Sequence, residues 1–176
     1  GRQAETVLEI GFGMGASLAE QALHEPEKNF LGIEVHPPGV ANLCALLAEQ
    51  KISNVRVLQH DAVEVLRDMI APTSLGRVQV YFPDPWPKLR HQKRRILQTA
   101  FVQVLVQKIQ SGGLFHMATD WVPYAEEVLQ LCAQQPELRN TGEGFCPRPD
   151  FRPETKFEKR GIGIGHDIRD ILFTKK

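Results

Sequence analysis

The sequence predicts an α/β protein built on a doubly wound, mostly parallel seven-stranded sheet, with helices on both faces and an antiparallel last strand. Three observations carry that prediction. Short apolar runs alternate with helical patterns for most of the chain, the rhythm of repeated strand-helix units. A glycine-rich turn follows the first run directly, and carboxylates recur where successive runs end.

Taken in order, Thr6–Ile10 reads as the first strand and Ser17–His24 as an amphipathic helix beyond the glycine turn. Asn29–Val35 is the second strand. A helix from about Gly39 to Gln50 follows, with Val40, Leu43, Leu46 and Leu47 on one face. Val55–Gln59 is the third strand, and Ala62–Ile70 a helix with Val63, Leu66, Met69 and Ile70 inward. Arg77–Phe82 is the fourth strand, and Lys93–Gln110 is expected as the longest helix. Leu114–Thr119 makes the fifth strand and Val122–Gln134 another helix. From Pro136 prolines and glycines break the rhythm, giving an irregular, functional loop at about 136–166 before a last antiparallel strand at Ile168–Phe173. The 176 residues are long enough to bury a core and read as one domain, 1–176. The first strand begins within the first ten residues, which leaves open whether a segment precedes it.

Apolar residues make up 42% and charged residues 24%, ordinary values for a soluble protein. Net charge is zero, so attraction to a polyanion must come from local clustering. The clearest cluster is Lys88 to Arg95, which holds Lys88, Arg90, Lys93, Arg94 and Arg95 with no acid. Cys44, Cys132 and Cys146 show no metal-ligand spacing and read as reduced thiols of a cytoplasmic protein. The histidines form no ligand pattern, and no apolar run approaches membrane-spanning length.

The glycine turn Glu9-Ile10-Gly11-Phe12-Gly13-Met14-Gly15 allows a sharp bend and close approach of backbone to a ligand. Its third glycine follows after one residue, not the two of the dinucleotide fingerprint, which disfavours a nicotinamide oxidoreductase. Glu9 is ill suited to hold pyrophosphate but fits a positively charged ligand such as the amino group of S-adenosylmethionine. Glu34 ends the second strand, where a carboxylate can accept ribose hydroxyls, and Asp61 follows the third, where it can meet an adenine amino group. A helix cap is the competing reading for Asp61.

Pro83-Asp84-Pro85-Trp86-Pro87-Lys88 leaves the fourth strand as a stiff, extended segment, because prolines at alternate positions lack the amide protons of a ladder. Asp84 is placed to hold a purine and offset positive charge growing on its ring, and Trp86 to stack on it. A proline-rich turn with Trp86 plugging the core is the plainer alternative. The basic run next to it can bind phosphates, with His91 a weak contact, or can simply be a solvated face. Asp120, ending the fifth strand, can reach the substrate or cap the next helix. Thr155-Lys156-Phe157-Glu158-Lys159-Arg160 mixes an aromatic with charges of both signs, as base-edge recognition or a salt-bridged loop requires.

Together EIGFGMG (9–15), GIEV (32–35), Asp61-Ala62, YFPDPWPK (81–88), KRR (93–95), ATD (118–120) and TKFEKR (155–160) resemble the bacterial tRNA (guanine-N7-)-methyltransferase family, in their order and over nearly the whole chain. The resemblance implies a class I methyltransferase-like fold. It implies methyl transfer from S-adenosylmethionine, leaving S-adenosylhomocysteine, to N7 of guanine 46 in the tRNA variable loop. It implies cofactor roles for Glu9, Gly11, Gly13, Gly15, Glu34, Asp61 and Asp84, with Asp84 the catalytic residue. Lys88, Asp120 and Thr155, Lys156, Phe157 and Glu158 are then substrate contacts. Arg90, His91, Lys93, Arg94 and Arg95 are the RNA-binding segment. No metal, membrane or obligate protein partner is implied, and the chain is expected as a monomer or weak homodimer. It lacks the N-terminal extension such enzymes usually carry. An amino-group methyltransferase of the same fold stands as the second enzyme reading, although the single proline between Asp84 and Trp86 departs from its motif. A catalytically silent RNA-binding module is the non-enzymatic alternative.

Overall fold

In the computed structural model residues 2–163, 165 and 167–176 are described. Among them the strands are β1 (Thr6–Ile10), β2 (Asn29–Glu34), β3 (Val55–Gln59), β4 (Leu75–Tyr81), β5 (Ile109–Thr119), β6 (Leu138–Asn140) and β7 (Arg169–Lys175). The helices are α1 (Ala16–His24), α2 (Pro37–Glu49), α3 (Ala62–Asp68), α4 (Thr99–Lys108), α5 (Val122–Ala133) and α6 (Lys156–Gly163). The strands form one sheet in the order β3-β2-β1-β4-β5-β7-β6. β3, β2, β1, β4 and β5 are mutually parallel, and β7 runs antiparallel to both β5 and β6. Strand order reverses between β1 and β4, the switch point outside which open α/β sheets bind ligands.

Alternation along the strands sorts side chains to two faces. Leu8, Ile10, Val78, Val80, Phe115, Met117, Ile171 and Phe173 form one core with α3, α4 and α5. Val7 and Phe30 pack on the opposite face with Leu18, Ala19 and Ala22 of α1 and Leu43 of α2. Val40, Leu46 and Leu47 back that second core, as the helical spacing of α2 predicts.

The structure corrects four sequence expectations. Lys93–Gln110 is not one helix: Leu89–Arg94 is a 3₁₀ turn, α4 begins only at Thr99, and the chain is strand from Ile109. Arg95 and Leu97 must both be buried, and residues two apart on an α-helix point in nearly opposite directions; extended backbone at Arg95 (ψ 133°) solves this. α3 is shorter than expected, with Ala62, Val65 and Leu66 inward; Val63 and Met69, expected inside, are 43% and 60% exposed. β5 begins five residues before Leu114, its pairing with β4 interrupted by a register shift between Leu75 and Arg77. The late irregular stretch contains β6 and α6. A three-residue edge strand and a glycine-bearing, highly charged helix leave too little periodicity to read.

Candidate active site

The glycine turn is a bend whose backbone only glycine adopts freely. Gly11, Gly13 and Gly15 have φ of 74°, 58° and 79°. A Cβ on Gly15 would lie 2.6 Å from Leu43, so this glycine also lets α1 and α2 approach. A Cβ on Gly13 would meet nothing within 4 Å, leaving that side of the turn open to a ligand. Glu34 locks the turn from the end of β2. Its Oε2 accepts the Gly13 amide at 2.9 Å, and its Oε1 accepts those of Val35 and His36 at 2.7 and 3.0 Å.

A cleft of about 570 Å³ opens beside the turn, within the range of about 300–1,000 Å³ usual for small-molecule sites. Ile10, Ile33, Ala62, Phe101 and Val104 supply apolar walls, and Gly11, Glu34 and Asp61 supply polar groups. Arg67, Lys93, Arg94 and Arg95 line the same cleft. Asp61 is the N-cap of α3: its Oδ1 accepts from Val63 N at 2.7 Å and Glu64 N at 3.4 Å. The cap and the cleft position occur together. These residues fit a nucleoside-bearing ligand: apolar walls for a base, carboxylates for hydroxyl and amino groups, and an open glycine turn.

β4 delivers Asp84 through strained backbone. Phe82 bonds Ala118 O at 2.7 Å and then turns to φ 49°, and Trp86 has φ 43°. Left-handed backbone at bulky residues costs about 1–3 kcal/mol each and concentrates where geometry serves function. Asp84 and Lys88 are exposed, as are Arg90, Lys93 and Arg94 of the 3₁₀ turn. The turn is attached through Trp86, whose ring carries the Arg94 guanidinium at 4.9 Å and the edge of His91 at 5.9 Å. Arg95 differs from its neighbours in the run. Its buried guanidinium donates to Pro85 O at 2.8 Å, pairs with Glu127 and stacks 4.7 Å from Tyr124. It anchors the segment from behind.

Two further groups singled out in the sequence lie outside the cleft lining. Glu9 lies within β1, 3% exposed, its Oε2 accepting from Gln79 Nε2 at 2.6 Å; it is absent from the cleft lining, as is Asp84. Burial pushes the Glu9 carboxyl up to about 7, against the opposing pull of Gln79 and Arg77. Thr155 and Glu158 form a capping box at the start of α6: Thr155 Oγ1 accepts from Glu158 N at 3.1 Å, and Glu158 Oε2 accepts from Thr155 N at 3.4 Å. The side chains of Lys156 and Phe157 lie outside the described residues. Asp120 is half-buried just past β5, and Trp121, not Asp120, holds the N-cap position of α5.

Sequence reasoning missed a buried polar network on the sheet face away from the cleft. Arg77 bonds Glu25, Gln21 and Gln79. The Tyr81 hydroxyl lies 3.1 Å from both Gln79 Oε1 and His116 Nδ1. His116 Nε2 is 2.7 Å from Asp170 Oδ1, and Asp170 in turn pairs with Arg152. Burial lowers the His116 pKa despite the Asp170 contact, so the ring is neutral near pH 7 and Nε2–H donates to the carboxylate. Burial pushes Asp170 up, but the bonds from His116 and Arg152 outweigh it and leave its pKa below the usual value. The legible signal was a polar residue at every second position of β4, Arg77, Gln79 and Tyr81, in a strand buried along its whole length.

Among the described residues no cluster of His, Cys, Asp or Glu could hold a metal, and the three cysteines are unpaired. Among them too, no helix is long and apolar enough to cross a membrane.

Comparison with known proteins agrees with this geometry. A family profile described as "Putative methyltransferase" matches residues 3–171. A tRNA (guanine-N(7)-)-methyltransferase of Paraburkholderia xenovorans is 54% identical over 176 residues, covering 100% of this chain and 68% of the relative. One from Bordetella pertussis is 56% identical over 175 residues, 99% of this chain and 69% of the relative. The fold is similar to that of a SAM-dependent O-methyltransferase from Thermotoga maritima, with a TM-score of 0.64 at 14% identity over 99% of this chain and 60% of the other. A sheet that gathers a glycine turn and strand-end acids at one switch point, and relatives this similar along the whole chain, have one explanation: the chain belongs to the tRNA (guanine-N(7)-)-methyltransferase family.

Proposed function

We propose that residues 1–176 act as one cytoplasmic methyltransferase domain that transfers methyl from S-adenosylmethionine to N7 of guanine 46 in the tRNA variable loop. One observation carries the reading. Gly11, Glu34 and Asp61 line the same cleft as Lys93 and Arg94, so a nucleoside site and a phosphate-binding turn share one opening. The relatives' activity, guanine-N7 methylation of tRNA, needs such a junction.

S-adenosylmethionine, when bound, supplies an electrophilic methyl on a sulfonium. In this reading Gly11, Gly13 and Gly15 let backbone approach it, with Glu34 toward the ribose and Asp61 toward the adenine. Glu34 already accepts three amides of the roughly four bonds a carboxylate can take, so it meets a ligand as a pre-oriented group. Guanine N7 has a lone pair and no proton, so no strong base is needed. Asp84 holds the guanine and offsets the positive charge that develops on its ring. The left-handed backbone at Phe82 and Trp86 fixes that carboxylate before substrate arrives. Lys88, Arg90, Lys93 and Arg94 take phosphates, positioning tRNA without reading sequence. Asp120 and the Thr155–Glu158 turn border the base.

The test is nucleoside analysis of unmodified tRNA incubated with the protein and methyl-labelled S-adenosylmethionine. The expected product is 7-methylguanosine, lost when guanine 46 is replaced. Label on an exocyclic amine would instead support an amino-group methyltransferase. Cofactor binding without any labelled RNA would end the tRNA reading.

A further inference from the structure

Arg152 is 2% exposed, a charged group spent entirely on internal contacts. Its Nη1 and Nη2 donate to Glu158 Oε2 and Oε1 at 2.5 and 3.0 Å. Its Nε and Nη2 donate to Asp170 Oδ1 and Oδ2 at 2.8 and 2.9 Å. One planar guanidinium thus grips two carboxylates in two forks, a geometry open to arginine and closed to lysine. Glu158 belongs to the capping box that starts α6. Asp170 belongs to β7 and continues through His116 to the Tyr81 hydroxyl. The guanidinium itself sits 5.8 Å from the Tyr81 ring, and Tyr81 is the last residue of β4, three before Asp84.

This arrangement is a poor device for stability alone. Buried ion pairs recover little more than their desolvation cost, and well-packed apolar side chains serve folding as well or better. What the double fork gives is geometry: it fixes the first turn of α6 against β7, which pairs with β5, the strand that ends just before Asp120. Arg148, 3.7 Å from Glu158, approaches the same carboxylate from the surface and offsets the second negative charge.

We propose that Arg152 is a positioning residue for methyl transfer, clamping the Thr155–Glu158 turn to Asp170 so that the turn and the Asp84 segment present one preformed site to the tRNA guanine. The proposal rests on the reading that this turn meets the substrate base. Arg152 touches neither cofactor nor base, so its loss acts on tRNA use and not on cofactor binding.

The test compares Arg152→Lys and Asp170→Asn with the unaltered chain in the tRNA methylation assay, with cofactor affinity from calorimetry and folding from circular dichroism. Lysine keeps the charge without the forks; asparagine alters the clamp from behind, remote from any substrate. For each folded variant, kcat/KM for tRNA should fall about ten- to a hundredfold, mainly through KM, as small misplacements do. Cofactor Kd should stay within about twofold. The double variant should lose no more than the worse single one, because both break one clamp. If both folded variants keep the unaltered KM and kcat while melting at lower temperature, Arg152 is only structural and the proposal is overturned. If Arg152→Lys does not fold, Asp170→Asn decides alone by the same split. An unaltered chain that methylates no tRNA overturns the functional reading, and this proposal with it; failure of the clamp by itself needs an active parent and equally active variants.

Discussion

Glu34 accepts the amide of Gly13 at 2.9 Å, joining the end of β2 to the glycine turn twenty-one residues earlier. The acid at this strand end is therefore part of the turn's architecture before any ligand arrives. Glu34→Ala should release the turn and weaken S-adenosylmethionine binding by about tenfold or more, each hydrogen bond to a charged group contributing about 1.5–3 kcal/mol. Isothermal titration reads this directly. Affinity unchanged within error would remove Glu34 from the cofactor site.

Asp84 stands on the exposed side of a strained segment and outside the cleft lining. Asp84→Asn should therefore lower kcat by about a hundredfold, the scale of losing one preorganised electrostatic group, while cofactor Kd moves little. Single-turnover kinetics with saturating cofactor separate the two. An equal loss in cofactor affinity would reassign Asp84 to holding the cofactor.

The basic run divides by burial. Lys93→Ala and Arg94→Ala should each lower the slope of log affinity for tRNA against log salt by about one, as expected when one phosphate contact is lost. Arg95→Ala should instead reduce stability by about 1–3 kcal/mol, because its guanidinium is held by Pro85, Glu127 and Tyr124. Filter binding across a salt series, paired with thermal melts, distinguishes them. An unchanged salt slope for Lys93 and Arg94 would mark the turn as a solvated face.

Glu9 gives a pH signature. Its pKa is about 7 in the folded chain against an ordinary value of 4.5, so the folded state holds the proton more tightly. Stability from this group is full below about pH 4.5 and is lost as pH rises through 7, a swing on the order of 3 kcal/mol. Glu9→Gln keeps an acceptor for Gln79 without a charge to bury. Its melting temperature should exceed that of the unaltered chain increasingly from pH 5 to pH 8. His116 works in the opposite sense, its lowered pKa costing stability as pH falls below its ordinary 6.5, but it is common to both chains and cancels in the difference. Parallel melting curves would show that Glu9 is solvated, and calorimetry on the same variant reads whether it also serves the cofactor.

Much of the fold was legible because it rests on local signals. The apolar runs of β1 to β5, the glycine turn and the acids Glu34 and Asp61 are fixed by side-chain period and backbone freedom, which neighbours in sequence already display. The proline segment after β4 likewise announces itself, since residues lacking amide protons cannot stay in a ladder. The break at Arg95 was not legible, because its cause is Glu127 and Tyr124 on another helix. Nor was the partner of Glu158: the string TKFE suggested contacts with a base, and the structure adds a capping box gripped by Arg152.

The sequence by itself determined the alternation of strands and helices from β1 to α5, the edge of the sheet where the acids collect, and membership of a methyltransferase family. Only the tertiary structure decided which charges face solvent and which are spent inside. Arg94 and Arg95 are adjacent in the chain and both border the cleft, yet one is exposed over Trp86 and the other is a buried internal anchor. Period and composition assign a residue to a face. Whether a charge on that face is solvated or paired depends on the element packed against it, and those partners come from distant parts of the chain.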